Sequence, residues 1–236
     1  CLCFTIHTKP PSMKYLIISA VGDESLHSEW ITEQPAFDLA LLYYGTDPEI
    51  AKTYARQAKY FLQTKGMKYH LIHAFIQQHL ASIIQYTYIW MPDNDVSIST
   101  QDIHRLFQLA EQYDLQLCQP AMTGYISHPI TQPDPTSLLR YSNFVEVLAP
   151  LMSLPALLQL YNTFTLNYSG WGYDYVWPFL LGYPKNKIAI IDAVVMRHTK
   201  PIGADYSRFP KHPKQEMKET LKPYGRSMQK KQVIYS

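Results

Sequence analysis

The run Tyr86–Val96, YTYIWMPDNDV, constrains this chain more than any other stretch. An apolar, aromatic-rich segment stops at Pro92, and Asp93 and Asp95 follow two residues apart. Proline has no N–H to give to a sheet ladder, so it marks the strand's end. The pattern predicts a buried strand that delivers two carboxylates to its C-terminal edge. Carboxylate oxygens there can hold a hard divalent cation, and such a cation can hold phosphates. A phosphorylated ligand follows from that reading, a nucleotide-activated sugar above all. The alternative is that Pro92-Asp93-Asn94-Asp95 is only a polar turn.

Strand and helix patterns alternate around this run. Lys14–Val21 and Phe37–Tyr44 are β-branched or apolar runs closed by glycine, so both read as strands. Pro48–Leu62 carries Ile50, Tyr54, Ala58 and Phe61 on one helical face, and Lys68–Leu71 reads as a short strand before a helix through Ile83. Ser99 with Asp102 starts a further helix through a box-like cap. Later come a Pro-rich loop over 127–136, a strand candidate Tyr141–Leu148, a helix candidate Leu154–Phe164 and a strand Ile188–Met196. Such alternation predicts an α/β fold with a mainly parallel central sheet and helices on both faces. Ligands of these sheets bind beyond the strand C-termini, where Asp93 and Asp95 fall. No Gly-rich dinucleotide fingerprint and no Walker loop occurs.

The 236 residues suit one α/β domain, assigned to 13–200, followed by a basic extension over 201–236. Met13 is the expected natural start, and residues 1–12 are set aside as an upstream segment. The extension carries seven Lys and Arg from Lys211 to Lys231 and is expected to be solvated. A formal net charge of +2 gives no electrostatic argument for nucleic acid. Cys1, Cys3 and Cys118 form neither a disulfide framework nor a CxxC zinc pattern, so a reducing, cytoplasmic setting is the expectation. No apolar run reaches the ~18 residues of a membrane span.

Three further places carry chemistry. His198 follows a strand, where a neutral imidazole suits a Mn2+-like ion; otherwise it is a satisfied surface histidine. Lys200, two residues on, shares its face in extended chain and would meet a diphosphate; otherwise it is a solvated lysine. In Gly170-Trp171-Gly172-Tyr173-Asp174 the glycines allow a tight path that presents the Trp171 ring to a sugar. Asp174 would then take an acceptor proton, unless Trp171 is core and Asp174 caps a helix. Glu146 in NFVEV is a pocket carboxylate or an exposed one, and the rarity of buried carboxylates favours exposure. Asp192, inside its strand, reads as structural.

Taken in order, Tyr43-Tyr44-Gly45, Lys65-Gly66-x-Lys68, WMPDNDV, Cys118-Gln119-Pro120, Arg140-x-x-Asn143-Phe144-Val145-Glu146-Val147-x-Ala149-Pro150, Trp171-Gly172-x-Asp174 and Ile191-Asp192 to His198 resemble a family of uncharacterised proteins. The family is labelled "lysine ketoglutarate reductase trans-splicing related", and the likeness runs from about Lys14 to about His198. The same pattern is similar to GT-A glycosyltransferases. That resemblance implies a GT-A-like fold, Mn2+ or Mg2+ on Asp93, Asp95 and His198, and a nucleotide-diphosphate sugar as donor. It implies that the strand end at Ser19, Val21 and Asp23, with Lys65, Asp93 and Lys200, lines the donor side. Glu146, Trp171 and Gly172 would face a carbohydrate or other hydroxyl acceptor, with Asp174 as base. The chain has one acid in the acceptor segment where many relatives have two.

The expected activity is therefore transfer of a sugar from a nucleotide-diphosphate sugar to a hydroxyl. A non-catalytic sugar or sugar-nucleotide binding module on the same scaffold is the alternative. A metal-dependent phosphoester hydrolase ranks last, for want of the dense Asp/His clustering of two-metal sites.

Overall fold

The computed structural model describes residues 14–201, 206, 209–225 and 232–235. Residues 1–12 and part of the basic extension, including Arg226, Lys230 and Lys231, lie outside the described residues.

The strands are β1 (Tyr15–Val21), β2 (Asp38–Tyr43), β3 (Tyr60–Gln63), β4 (Tyr88–Trp90), β5 (Val96–Ser97), β6 (Leu117–Gly124), β7 (Arg140–Ser142), β8 (Leu151–Ser153), β9 (Ile188–His198) and β10 (Val233–Tyr235). The helices are α1 (Pro48–Gln57), α2 (Lys68–Gln78), α3 (Leu80–Ile83), α4 (Thr100–Gln112), α5 (Leu154–Leu160), α6 (Tyr173–Leu180) and α7 (Pro213–Leu221). The strands make one sheet in the order β10-β7-β9-β6-β8-β4-β1-β2-β3, with β5 added on β9.

The sheet is covered on both faces, as the alternation predicts. Ile17, Leu39 and Leu41 pack toward α1 and α4, whereas Leu16, Ile18, Ala40 and Leu42 pack toward α2, α5 and α6. That is why β1 and β2 read as continuous apolar runs rather than alternating ones. The expectation of a mainly parallel sheet holds, with antiparallel strands added to it. The pairs β1–β2, β1–β4, β2–β3 and β6–β9 are parallel. β8 runs antiparallel between β4 and β6, and β5, β7 and β10 also pair antiparallel, so the sheet is mixed.

Four local readings differ. The helix predicted over Pro48–Leu62 ends at Gln57, and Phe61 belongs to β3. Lys68–Leu71 is the first turn of α2, not a strand. Of Tyr141–Leu148 only Tyr141 and Ser142 are strand, in β7 with Arg140, and β6 and β8 lie where the sequence pattern predicts no strand. The basic extension is not wholly solvated: α7 buries Pro213 and Glu216, and β10 pairs with β7. The Ser99 cap is as expected, accepting from the Asp102 N–H at 3.1 Å.

This topology sets up one edge. β1, β2, β4, β6 and β9 point the same way, so Val21, Trp90 and His198 end on a common side. β1 has β2 on one flank and β4 on the other, which makes the gap beyond β1 and β4 the switch point of the sheet. The floor under that gap is rigid. The Trp30 and Trp90 rings are fully buried with centroids 5.8 Å apart, and their indole N–H groups donate to Val96 and Ala149 carbonyls at 2.9 and 3.0 Å.

Candidate functional site

Asp95 and His198 meet at that edge. β5 starts one residue after Asp95 and pairs with the end of β9, Val96 opposite His198. The Asp95 carbonyl accepts from both the N–H and the hydroxyl of Thr199, at 3.1 and 2.8 Å. Held this way, His198 Nε2 lies 3.4 Å from Asp95 Oδ2. His198 Nδ1 lies 2.7 Å from the Tyr125 carbonyl, which fixes Nδ1 as the protonated nitrogen and turns Nε2 toward the carboxylate. Burial pulls the imidazole down, but the Asp95 and Tyr125 contacts outweigh it, and its pKa stands above the ordinary value. Burial pushes the Asp95 carboxyl up, and the His198 contact more than reverses this. The other carboxylate oxygen, Asp95 Oδ1, is buried and makes no hydrogen bond. Such an atom is costly unless something positive fills the place beside it.

Asp93 takes a different partner. Its Oδ1 lies 2.7 Å from Lys68 Nζ, at the first turn of α2. Lys68 Nζ also donates to the Val147 and Leu148 carbonyls, at 3.0 and 2.7 Å. Burial pulls the ammonium below the usual lysine range and pushes the Asp93 carboxyl up, even though each partner opposes the other's shift. Asp93, Asp95 and His198 are thus neighbours but not one ligand set. Among the described residues, no three His, Cys, Asp or Glu side chains gather in a way that would hold a metal ion. The donor chemistry of Asp95 Oδ1 with His198 Nε2 fits a divalent ion with two protein ligands, while Asp93 is engaged by an ammonium.

The remaining donor-side residues divide. Ser19 and Val21 are fully buried. The Ser19 hydroxyl donates to the Pro92 carbonyl at 2.9 Å, tying β1 to the turn after β4, and the Val21 side chain packs in the core. Neither presents a side chain to the cleft. Asp23 is exposed and accepts from the Tyr43 hydroxyl at 2.5 Å. Lys65 donates to the Tyr44 carbonyl. Lys200 pairs with Glu24 at 3.0 Å, exposed to solvent.

Of the residues expected on the acceptor side, Glu146 is buried rather than exposed, 5% accessible. The Gln119 side chain holds its backbone N–H at 2.6 Å. That glutamine precedes Pro120, where β6 shifts register against β9 and its ladder is broken. Burial first, and then the nearby Asp174 charge, raise the Glu146 pKa to about 7, and its Oε2 has no hydrogen-bond partner. Asp174 is buried in the first turn of α6, with Oδ2 3.7 Å from His128 Nε2. Gly172, not Asp174, is the N-cap of α6, and it sits at φ 98°. Trp171 is half-buried, and its ring meets Tyr206 edge-on at 5.9 Å.

Three side chains were given no role by sequence reasoning. Lys68 pairs with Asp93, and His128 lies beside Asp174. Tyr44 has its hydroxyl 3.2 Å from Asn94 Nδ2, between the two aspartates in sequence. No sequence signal marked Lys68, because the start of α2 carries no side-chain cap to identify it as a helix.

Solved structures provide the comparison. Residues 1–349 of S. aureus TarS in complex with UDP-GlcNAc match with a TM-score of 0.61 at 13% identity, over 89% of this chain and 65% of that one. GalNAc-T7 with UDP, GalNAc and Mn2+ matches with a TM-score of 0.63 at 8% identity, over 89% of this chain and 47% of that one. The chain resembles known glycosyltransferase folds. At these identities the likeness is one of fold, and the chain spans about half to two-thirds of these two relatives. No family model matches, nor does any curated protein, so the family resemblance read from the motifs gains no support there. Among the described residues, no helix is long and apolar enough to cross a membrane.

Proposed function

We propose that this chain is a metal-assisted glycosyltransferase that binds a nucleotide-diphosphate sugar beyond β1 and β4 and passes the sugar to a hydroxyl acceptor on the Asp174 side. The observation that carries this reading is the Asp95–His198 pair at the carboxyl edge of the sheet, with a buried Asp95 oxygen left without a hydrogen bond. The likeness to structures containing UDP-GlcNAc, or UDP with GalNAc and Mn2+, supports it.

Asp95 Oδ1 and His198 Nε2 would hold the cation, which when bound would act as a Lewis acid toward the donor diphosphate. The Tyr125 carbonyl keeps His198 in the tautomer that leaves Nε2 available. Lys200, paired with Glu24 and within electrostatic reach of Asp95, would add positive charge toward the leaving diphosphate. Asp174 would accept the acceptor proton, with His128 Nε2 3.7 Å from its carboxylate. The half-buried Trp171 ring offers a face for a sugar.

Thermal unfolding tests the reading. A UDP- or GDP-sugar at about a hundred times its Kd should stabilise the protein by ~2.7 kcal/mol, some 5–10 °C, and only with Mn2+ present. Asp95→Ala should abolish the shift. Asp174→Asn should keep the shift and lose turnover, whereas a pure binding module would keep its function. No shift with any nucleotide sugar, with or without metal, removes the proposal.

A further inference from the structure

Lys68 is a cation in the cleft with no proton to spare. An ammonium has three donors. Those of Lys68 go to Asp93 Oδ1 at 2.7 Å, Leu148 O at 2.7 Å and Val147 O at 3.0 Å. Nothing is left for a phosphate. The side chain is 16% exposed, so these bonds are shielded from water. Its neighbour Tyr69 donates to the same Val147 carbonyl at 2.5 Å, and Asp93 N–H donates to Leu148 O at 2.9 Å. The start of α2, the turn after β4 and the segment after Glu146 are therefore locked together through Lys68.

We infer that Lys68 is a positioning residue that keeps Asp93 out of direct metal ligation and so makes cation binding conditional on the nucleotide. This rests on reading the cleft as the donor site for a nucleoside diphosphate. With Asp93 held by the ammonium, the protein offers a divalent ion two direct ligands, Asp95 and His198. An ammonium beside the site also repels a second cation. Affinity for such ions rises with the number and charge of the ligands. Two ligands hold Mn2+ weakly until the diphosphate oxygens of a bound nucleotide complete the shell. Metal then does not occupy the empty cleft, and nucleotide and metal arrive as a pair. Removing the ammonium would free Asp93 as a third ligand and lift the repulsion.

The experiment is Mn2+ binding by calorimetry to the full chain, with and without UDP, for wild type, Lys68→Met, Asp93→Asn and the double variant. Circular dichroism and the urea midpoint establish that each is folded. Lys68→Met should tighten Mn2+ alone at least tenfold and shrink the gain that UDP brings. Adding Asp93→Asn should cancel that tightening, because the two changes act on one contact. Should Lys68→Met fail to fold, Asp93→Asn alone decides. It should leave Mn2+ affinity in the presence of UDP within about threefold, and a tenfold loss overturns the inference. UDP-dependent Mn2+ binding by wild type with no gain in folded Lys68→Met overturns the inference alone. No Mn2+ binding by any protein, with or without UDP, overturns it together with the donor-site reading.

Discussion

His198 Nε2 stands 3.4 Å from Asp95 Oδ2 because the two-residue strand β5 pairs with the last residues of β9. Two positions 103 residues apart in sequence are made neighbours by one antiparallel pairing. The contact is charge-assisted and mostly shielded, so it has consequences for stability as well as for ligands.

The first concerns pH. Asp95 has its pKa held below the ordinary value near 3.8, so its share of stability is present above that value and lost as pH falls through the lowered pKa. His198 has its pKa raised above 6.5, so its share is present below 6.5 and lost as pH rises through the raised pKa. The pair stabilises most between those limits. Urea midpoints from about pH 3 to 9 should show wild type weakening on the alkaline side of 6.5 by about 1 kcal/mol, the scale of such a bond. His198→Gln should decline less than wild type over that range, by the share the pair contributes. An identical alkaline limb in both proteins would mean the pair carries no net stability.

Glu146 makes the opposite contribution for a carboxylate. Its folded pKa of about 7 lies above the ordinary 4.5, so the folded state favours the protonated form. Stability is fully present below 4.5 and falls as pH rises through about 7. Glu146→Gln keeps the shape without the charge. It should match wild type near pH 4.5 and exceed it by on the order of 2–3 kcal/mol above pH 8. Chemical denaturation at those two pH values checks this, and equal stability at both would show that the buried carboxyl is not strained by ionisation. In the proposed transferase, a carboxyl with its pKa raised beside Asp174 would be suited to exchanging a proton with the acceptor hydroxyl.

How much of this was legible in the sequence follows from what each signal depends on. β1, β2 and β4 are buried on both faces, and a run with no polar face is visible one residue at a time. α4 announced itself through Ser99 and Asp102, a local cap. Lys68–Leu71 failed for the lack of such a signal, since Met67 caps α2 with no side-chain bond. Phe61 extends the apolar spacing of α1 by coincidence of period, and only pairing with β2 makes it a strand residue. β8 is three residues long and identified only by its neighbours on both sides. In the site, the aspartates and His198 could be named, but not divided. Whether a carboxylate faces a metal or a lysine depends on packing of α2 against the 147–148 carbonyls, which no spacing encodes. Glu146 read as exposed because carboxylates usually are. Its burial comes from Gln119, whose side chain takes up the Glu146 N–H where Pro120 interrupts β6.

Gly172 gives the last test, of how the proposed acceptor side is built. Its φ of 98° lies in the left-handed region, and it caps the helix that carries Asp174. An added Cβ would sit 3.4 Å from Met217 and 3.5 Å from Leu221 of α7, ordinary contact distances, so space does not forbid it. The cost is conformational, about 1–2 kcal/mol for an L-residue held there. Gly172→Ala should therefore lower the Tm by roughly 2–8 °C. The strain falls two residues from Asp174 and away from Asp95 and His198, so donor-induced stabilisation should survive while acceptor-dependent turnover falls. Equal loss of both would mean that Gly172 supports the whole cleft rather than its acceptor wall.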